Sequence, residues 1–225
     1  MTKFVKTATL AGIALAGALA LGASSASAAL MLSLDDNNGT VVNVNDGMSP
    51  GVVSYSGMVG ANWTINVTTG LGFPAPTFDP GHVDLNSVNV SLGAGTLTMI
   101  LTATGQESVD EIIRIANAIG GTINQGGTLT TSVSVDGNNI PSLTQIFSGT
   151  NAFSGEVKSD EITLTNGGMP YTYDMALRVD IQHVQGGASS FNNEVQRPVS
   201  EAGTLGLFGL GLMGLGMAMR RRKTA

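Results

Sequence analysis

The chain has 225 residues, with 10 Lys+Arg against 16 Asp+Glu, 31 glycines and no cysteine. A net charge of −6 and a pI near 4.7 argue against a basic nucleic-acid binder, and the missing cysteine excludes a disulfide scaffold. Hydrophobic residues make up 42% and charged ones 12%, which argues against disorder, and so much glycine argues against a helical or coiled-coil protein.

From the N-terminus, residues 1–28 read as a secretory signal peptide. Lys3 and Lys6 supply the positive start, and Leu10–Leu21 is a 12-residue apolar run, short for a membrane span. Ala26, Ser27 and Ala28 then offer small residues to signal peptidase, with Ala29 expected as the first mature residue.

Residues 29–198 form the expected exported domain. It holds fifteen acidic residues against four basic ones, about −11, a charge the basic residues of the two ends conceal. Such a body repels phosphate polymers and anionic lipid heads, so no nucleic-acid partner is expected, while cations, neutral polysaccharide and basic partners stay open. Its patterning is that of strands. Short β-rich runs are predicted at 40–44, 52–59, 63–68, 83–92 and 161–165. Longer alternation predicts strands over Thr96–Thr104, Leu129–Val135 and Tyr171–Val184. In the last of these, Leu177, Val179 and Ile181 fall on the expected core face and Asp174, Arg178 and Asp180 on the solvent face. Asn38-Gly39, Asp46-Gly47, Asp136-Gly137 and 166–168 are turn signals, and Gly72–Gly81, with three prolines, reads as a loop or edge crossing.

One segment fits two states. Ser108-Val109-Asp110-Glu111 has a capping-box form, and Val109, Ile112, Ile113, Ala116 and Ile119 fit a helical face stopped by Gly120-Gly121. The β-branched run Ile112–Ile115 fits a buried strand instead. The whole predicts an all-β antiparallel sandwich, with 108–119 either one short helix or a buried strand, a signal peptide before it and a membrane helix after it.

That final element is Ala202–Met219, 18 residues without a charge, followed by Arg220, Arg221, Arg222 and Lys223. As a helix it would span roughly 27 Å, against a hydrocarbon core of about 30 Å. The basic cluster sets the cytoplasmic end, placing everything before residue 200 outside, in agreement with the signal peptide. Val199-Ser200-Glu201-Ala202, the Gly/Leu-rich span and the terminal Arg cluster together resemble a PEP-CTERM sorting tail, whose pattern is a Pro-Glu-Pro motif, a transmembrane stretch and an Arg cluster. Here Ser200 and Ala202 stand at the two proline positions and Glu201 remains. The resemblance covers residues 199–225. It implies a substrate of an exosortase-like sorting enzyme in a Gram-negative bacterium that makes exopolysaccharide, held in the inner membrane by its tail and then passed to the cell surface or outside. The body runs 63–70, 84–88 and 95–98 also resemble small secreted proteins carrying such tails.

Motifs of chemistry are sparse. No nucleophile elbow, zinc-helix motif or P-loop occurs, so no catalytic residue and no cofactor is expected. His183 lies on the apolar face of its strand and reads as a core histidine. His82 and Asp84 form an H-x-D pair that would offer two ligands from one strand face, or simply line a loop. Asp35 and Asp36, before Asn37-Asn38-Gly39, and Asp136, before Gly137-Asn138-Asn139, are weak calcium candidates, with Asx-rich turns as the alternative. Tyr55, Trp63, Phe73 and Phe78 are candidates for a sugar-stacking platform, each with a core reading. The leading expectation is a non-enzymatic exported protein of the cell surface or an exopolysaccharide-rich matrix. The alternatives are a carbohydrate-binding module, calcium-assisted or not, and a secreted hydrolase, which would need two buried acids in one cleft.

Overall fold

The computed structural model describes residues 29–47, 51–73, 82–108, 110–165, 169 and 171–196, as backbone alone over 68–73. In chain order its strands are β1 (Ala29–Asp35), β2 (Val41–Asn45), β3 (Val52–Val59), β4 (Trp63–Phe73), β5 (His82–Ser91), β6 (Gly95–Ser108), β7 (Ile112–Ile113) and β8 (Ala116–Ile123). They continue as β9 (Gly127–Val135), β10 (Asn138–Asn139), β11 (Leu143–Phe147), β12 (Asn151–Lys158), β13 (Ile162–Thr163), β14 (Tyr171–His183) and β15 (Gly187–Gln196). Every pairing is antiparallel.

The strands build two large sheets. One runs β10-β9-β14-β6-β1-β2, with β11 also on β9, and the other runs β12-β8-β15-β5-β4-β3. β7 and β13 make a separate short ladder. The sheets bury their inner faces against each other, so each strand's alternation sorts its residues between core and solvent. On β14, Met175, Leu177, Val179 and Ile181 are fully buried, while Asp174 and Arg178 are exposed and Asp180 is half-buried. The predicted faces of this strand are those observed.

Two local devices set its register. Asp174 stands at a bulge between Tyr173 and Met175, where Gly105 on β6 takes a positive φ of 70° and donates its N–H to the Asp174 carboxylate at 2.9 Å. At the other end Arg178 donates twice to Asp180, at 2.7 and 2.8 Å, and the Thr98 hydroxyl donates to the same carboxylate at 2.6 Å.

Of the two states open to 108–119, the described residues take the strand and not the helix. Among the described residues of that span, Ser108 ends β6, Ile112–Ile113 is β7 and Ala116 opens β8. The Ser108 hydroxyl contacts the backbone of Asp110, closing a local turn where a helix cap was expected. Tertiary pairing then prevails over the helical stripe: Ile115 accepts from Ser159 N–H at 2.8 Å, and Glu111 accepts from Leu164 N–H at 2.7 Å. Gly120 and Gly121, expected as a helix stop, lie inside β8. A Cβ on Gly121 would strike the Ser190 carbonyl of β15, so glycine allows the two strands to close. The strand expected over 161–165 is shorter, Ile162–Thr163, and β4 runs through residues 72–73 of the expected loop, whose remaining residues 74–81 lie outside the described ones. The signal peptide, the span 202–219, the arginine cluster and the turn at 166–168 also lie outside the described residues.

The interior is not wholly apolar. Asn89, Asn117, Thr131 and Asn193 are fully buried, and Ser87 and Ser189 nearly so. Both Asn117 and Asn193 donate to the Thr131 hydroxyl, at 3.1 and 2.5 Å, and Ser87 donates to Asn89 at 2.7 Å. Each asparagine leaves one end of its amide without a protein partner. Apolar burial therefore carries the stability, and Leu177 is central to it. We expect Leu177→Ala to cost about 2–5 kcal/mol, read from denaturant unfolding; an unchanged midpoint would remove β14 from the core.

Candidate functional site

The calcium candidates do not converge. Asp35 accepts the Asn37 N–H at 2.7 Å, and one oxygen of Asp36 accepts those of Asn38 and Thr40 at 2.9 and 2.8 Å, so the Oδ1 of each carboxylate serves the β1–β2 turn. Asp36 also packs on Gly60, where φ is 62° and a Cβ would collide with the carboxylate. Asp136 closes the β9–β10 hairpin with a φ of 48° beside Gly137 at 79°, and accepts the Asp174 N–H at 2.8 Å. Asp35 pairs beside Thr98 and Asp136 bonds near the bulge at Gly105, about seven residues and roughly 24 Å along β6. Among the described residues no group of three His, Cys, Asp or Glu side chains is placed to hold a metal.

His183 is 1% exposed, with its Nδ1 at 2.6 Å from the Ser91 hydroxyl and its ring 4.9 Å from that of Trp63. Burial lowers its pKa, so it is a neutral core residue. Trp63 is 1% exposed and Tyr55 donates its hydroxyl to the Met58 carbonyl at 2.7 Å, so neither is a free stacking platform. Phe78 and the Phe73 side chain lie outside the described residues.

His82 and Asp84 fare differently. They project from the outer face of β5, and β15 brings Glu194 opposite Asp84. His82 Nε2 lies 3.1 Å from a Glu194 oxygen, and Asn86 donates to Asp84 at 2.9 Å. Desolvation raises the Asp84 pKa above its ordinary value, His82 opposes the rise and Glu194 adds to it.

Beside this cluster the outer face carries an open groove of about 590 Å³. Register explains its shape. Glu194, Ala118 and Glu156 stand side by side on β15, β8 and β12, and Asn192, Gly120 and Ser154 form the next row. Small residues on β8 leave a floor, and longer polar ones on β15 and β12 make walls. The rows lie about 7 Å apart, and three strands span about 10 Å. Lys158 Nζ sits 3.5 Å from Glu156, as His82 sits beside Glu194, so a base stands by each wall acid.

Of these residues the sequence reading singled out His82 and Asp84 alone. Glu194, Asn192, Glu156, Ser154 and Gly120 were not found. Alternation on β15 would have exposed Asn192 and Glu194, but the polar residues Ser189 and Asn193 occupy its buried parity and mask the pattern.

Residues 198–223 match the PEP-CTERM protein-sorting motif, so the tail resemblance is shown. None of the curated proteins matches the chain. Among solved structures, TmCBM61 in complex with β-1,4-galactotriose is 12% identical, with 61% of this chain and 90% of that one covered and a TM-score of 0.35. The N-terminal cellulose-binding domain of Cellulomonas fimi β-1,4-glucanase C is 7% identical, covering 75% and 90%, with a TM-score of 0.32. A PA14 sugar-binding domain from an RTX adhesin is 14% identical, covering 76% and 91%, with a TM-score of 0.30. At these scores the likenesses carry no functional argument.

Two outcomes are expected of the turn acids. Melting the chain in about 1 mM calcium and in chelator should give equal midpoints, since one oxygen each of Asp35, Asp36 and Asp136 serves backbone N–H groups and the three acids do not converge; a rise in calcium would show a site. The N–H groups of Thr40 and Asn38 hold the Asp36 carboxyl below its ordinary 3.8. A lowered folded pKa contributes stability above the unfolded value and loses it as pH falls through the folded one. Asp36→Ala should therefore lower the midpoint at neutral pH and flatten the acid fall below about pH 4; parallel wild-type and variant curves would contradict this.

Proposed function

We propose that the chain is a non-enzymatic exported protein of the cell surface or extracellular matrix, sorted through its C-terminal tail. The observation that carries this reading is the PEP-CTERM sorting motif at residues 198–223, which begins two residues after β15 ends at Gln196. The motif implies export, membrane-anchored sorting and exosortase-type processing. The tail would hold the body on the outer side of the inner membrane, with Arg220–Lys223 in the cytoplasm, until the sorting enzyme releases it.

Residues 29–198 serve as the delivered body. Ala29 already pairs with Thr104, so cleavage after Ala28 leaves the β1–β6 ladder whole. The non-enzymatic reading is supported by the sequence, which carries no nucleophile elbow, zinc-helix motif or P-loop. The groove itself favours a second reading within this one, a body that binds carbohydrate in an exopolysaccharide matrix.

Mass spectrometry of native protein from the producing cells tests the sorting. The mature species is expected to start at Ala29 and to lack the Arg220–Lys223 peptide. Deleting residues 220–225 should leave the protein unprocessed. Retention of the arginine peptide at full stoichiometry would replace sorting by permanent anchoring.

A further inference from the structure

We propose that the groove over β8 binds a neutral polysaccharide chain, with a sugar ring seated on Ala118 and Gly120. The inference deepens the reading of an exported matrix protein by naming what its body holds. It rests on three features of the groove.

The first is the floor. Ala118 presents a methyl group and Gly120 a bare Cα, so the bottom of the groove is flat and apolar between polar walls. A pyranose has the same division, with C–H groups on its faces and hydroxyls at its rim. Dispersion contacts with the floor replace the aromatic stacking that Trp63, buried in the core, does not offer.

The second is the rim. Asn192 and Ser154 face each other across the floor, and Glu194 and Glu156 do so one row along. Carboxylates accept from hydroxyls in charge-assisted bonds, and the amide both donates and accepts, which suits a ligand whose groups do both.

The third is charge. Lys158 stands 3.5 Å from Glu156 and counters its charge, and the His82 ring stands 3.1 Å from Glu194, so the wall acids already have side-chain neighbours. A metal ion finds no group of three ligating side chains among the described residues, and a polyanion is repelled by the acidic body. A neutral chain meets neither obstacle. The groove is open along the face, so a polymer can continue past its ends.

The full chain in detergent should be run through native gels containing soluble neutral glucan, galactan or mannan, at about 50 mM and 500 mM salt. Retardation is expected in at least one gel and should hardly change with salt, because the contacts are not ionic. Gly120→Leu fills the floor; its backbone φ suits an L residue, and a Cβ there meets only Phe153 O at 3.6 Å and Ser154 Cβ at 4.0 Å. It should weaken binding at least tenfold. Asn192→Ala removes a rim group without adding bulk and should weaken binding severalfold, keeping the test sound if the leucine variant unfolds. Arg178→Ala, on the other sheet, should bind as wild type.

No retardation in any of the three polysaccharides overturns the proposal. So does retardation that both groove variants retain, and so does polylysine binding that the two groove variants abolish while polysaccharide retardation is absent, which would assign the groove to a basic partner. The test uses purified protein, so its failure leaves the tail-sorting result untouched.

Discussion

The structure depends on one constraint: β14 must pair along its length with β6 and from Met175 onward with β9 while turning a continuous apolar face to the second sheet. Its register with β6 runs from Tyr171↔Ser108 to His183↔Gly95, and with β9 from Met175↔Val135 to His183↔Gly127. A slip of one residue would carry Leu177, Val179 and Ile181 to solvent and bring Arg178 and Asp180 inside. The bulge at Asp174 and Gly105 and the Asp180–Thr98 bond hold against that slip from the two ends. The remaining strands of the first sheet extend outward from this central ribbon.

The second sheet meets it with a less uniform face. Ser87, Asn89, Ser91, Ser189, Asn193 and Asn117 lie on the inward parity of β5, β15 and β8, among Val83, Leu85, Phe191 and Val195. A buried amide left half-paired costs about 1–3 kcal/mol. The asparagines therefore do not add stability as an apolar core would. Their bonds to Thr131 on β9 tie β8 and β15 to the first sheet at one position, a directional contact that hydrophobic packing does not supply.

The outer face of that sheet is where small residues shape the groove. Glycine serves two purposes within two positions. Gly121 faces a backbone carbonyl of β15 and lets the strands approach, and Gly120 points outward and leaves the groove floor open. The acids around the floor stand by bases, so a body near −11 presents there a surface of hydrogen-bonding groups instead of a bare negative field. The sorting motif begins two residues beyond β15, a central strand held on both sides, so the tail leaves the body from a rigid element.

The sequence by itself determined what depends on neighbours along the chain. Alternation at i and i+2 located β6, β9 and β14 and sorted the faces of β14, because a strand's two sides are a local property, while β-rich composition located β3 and β5. The tail was legible because order, apolar length and terminal charge act without a fold. Strand order, and everything built on it, was decided only by tertiary structure. The 108–119 segment carried a helical stripe and a β-branched run together, and pairing with β12 and β15 chose the strand. His82 and Asp84 were visible as a pair two residues apart. Their neighbour Glu194 lies more than a hundred residues away, and Glu156 faces it only because β8 lies between their strands. Hydrogen-bonded registers of that separation leave no trace in local composition, since the same alternating strands would bury the same faces in another order.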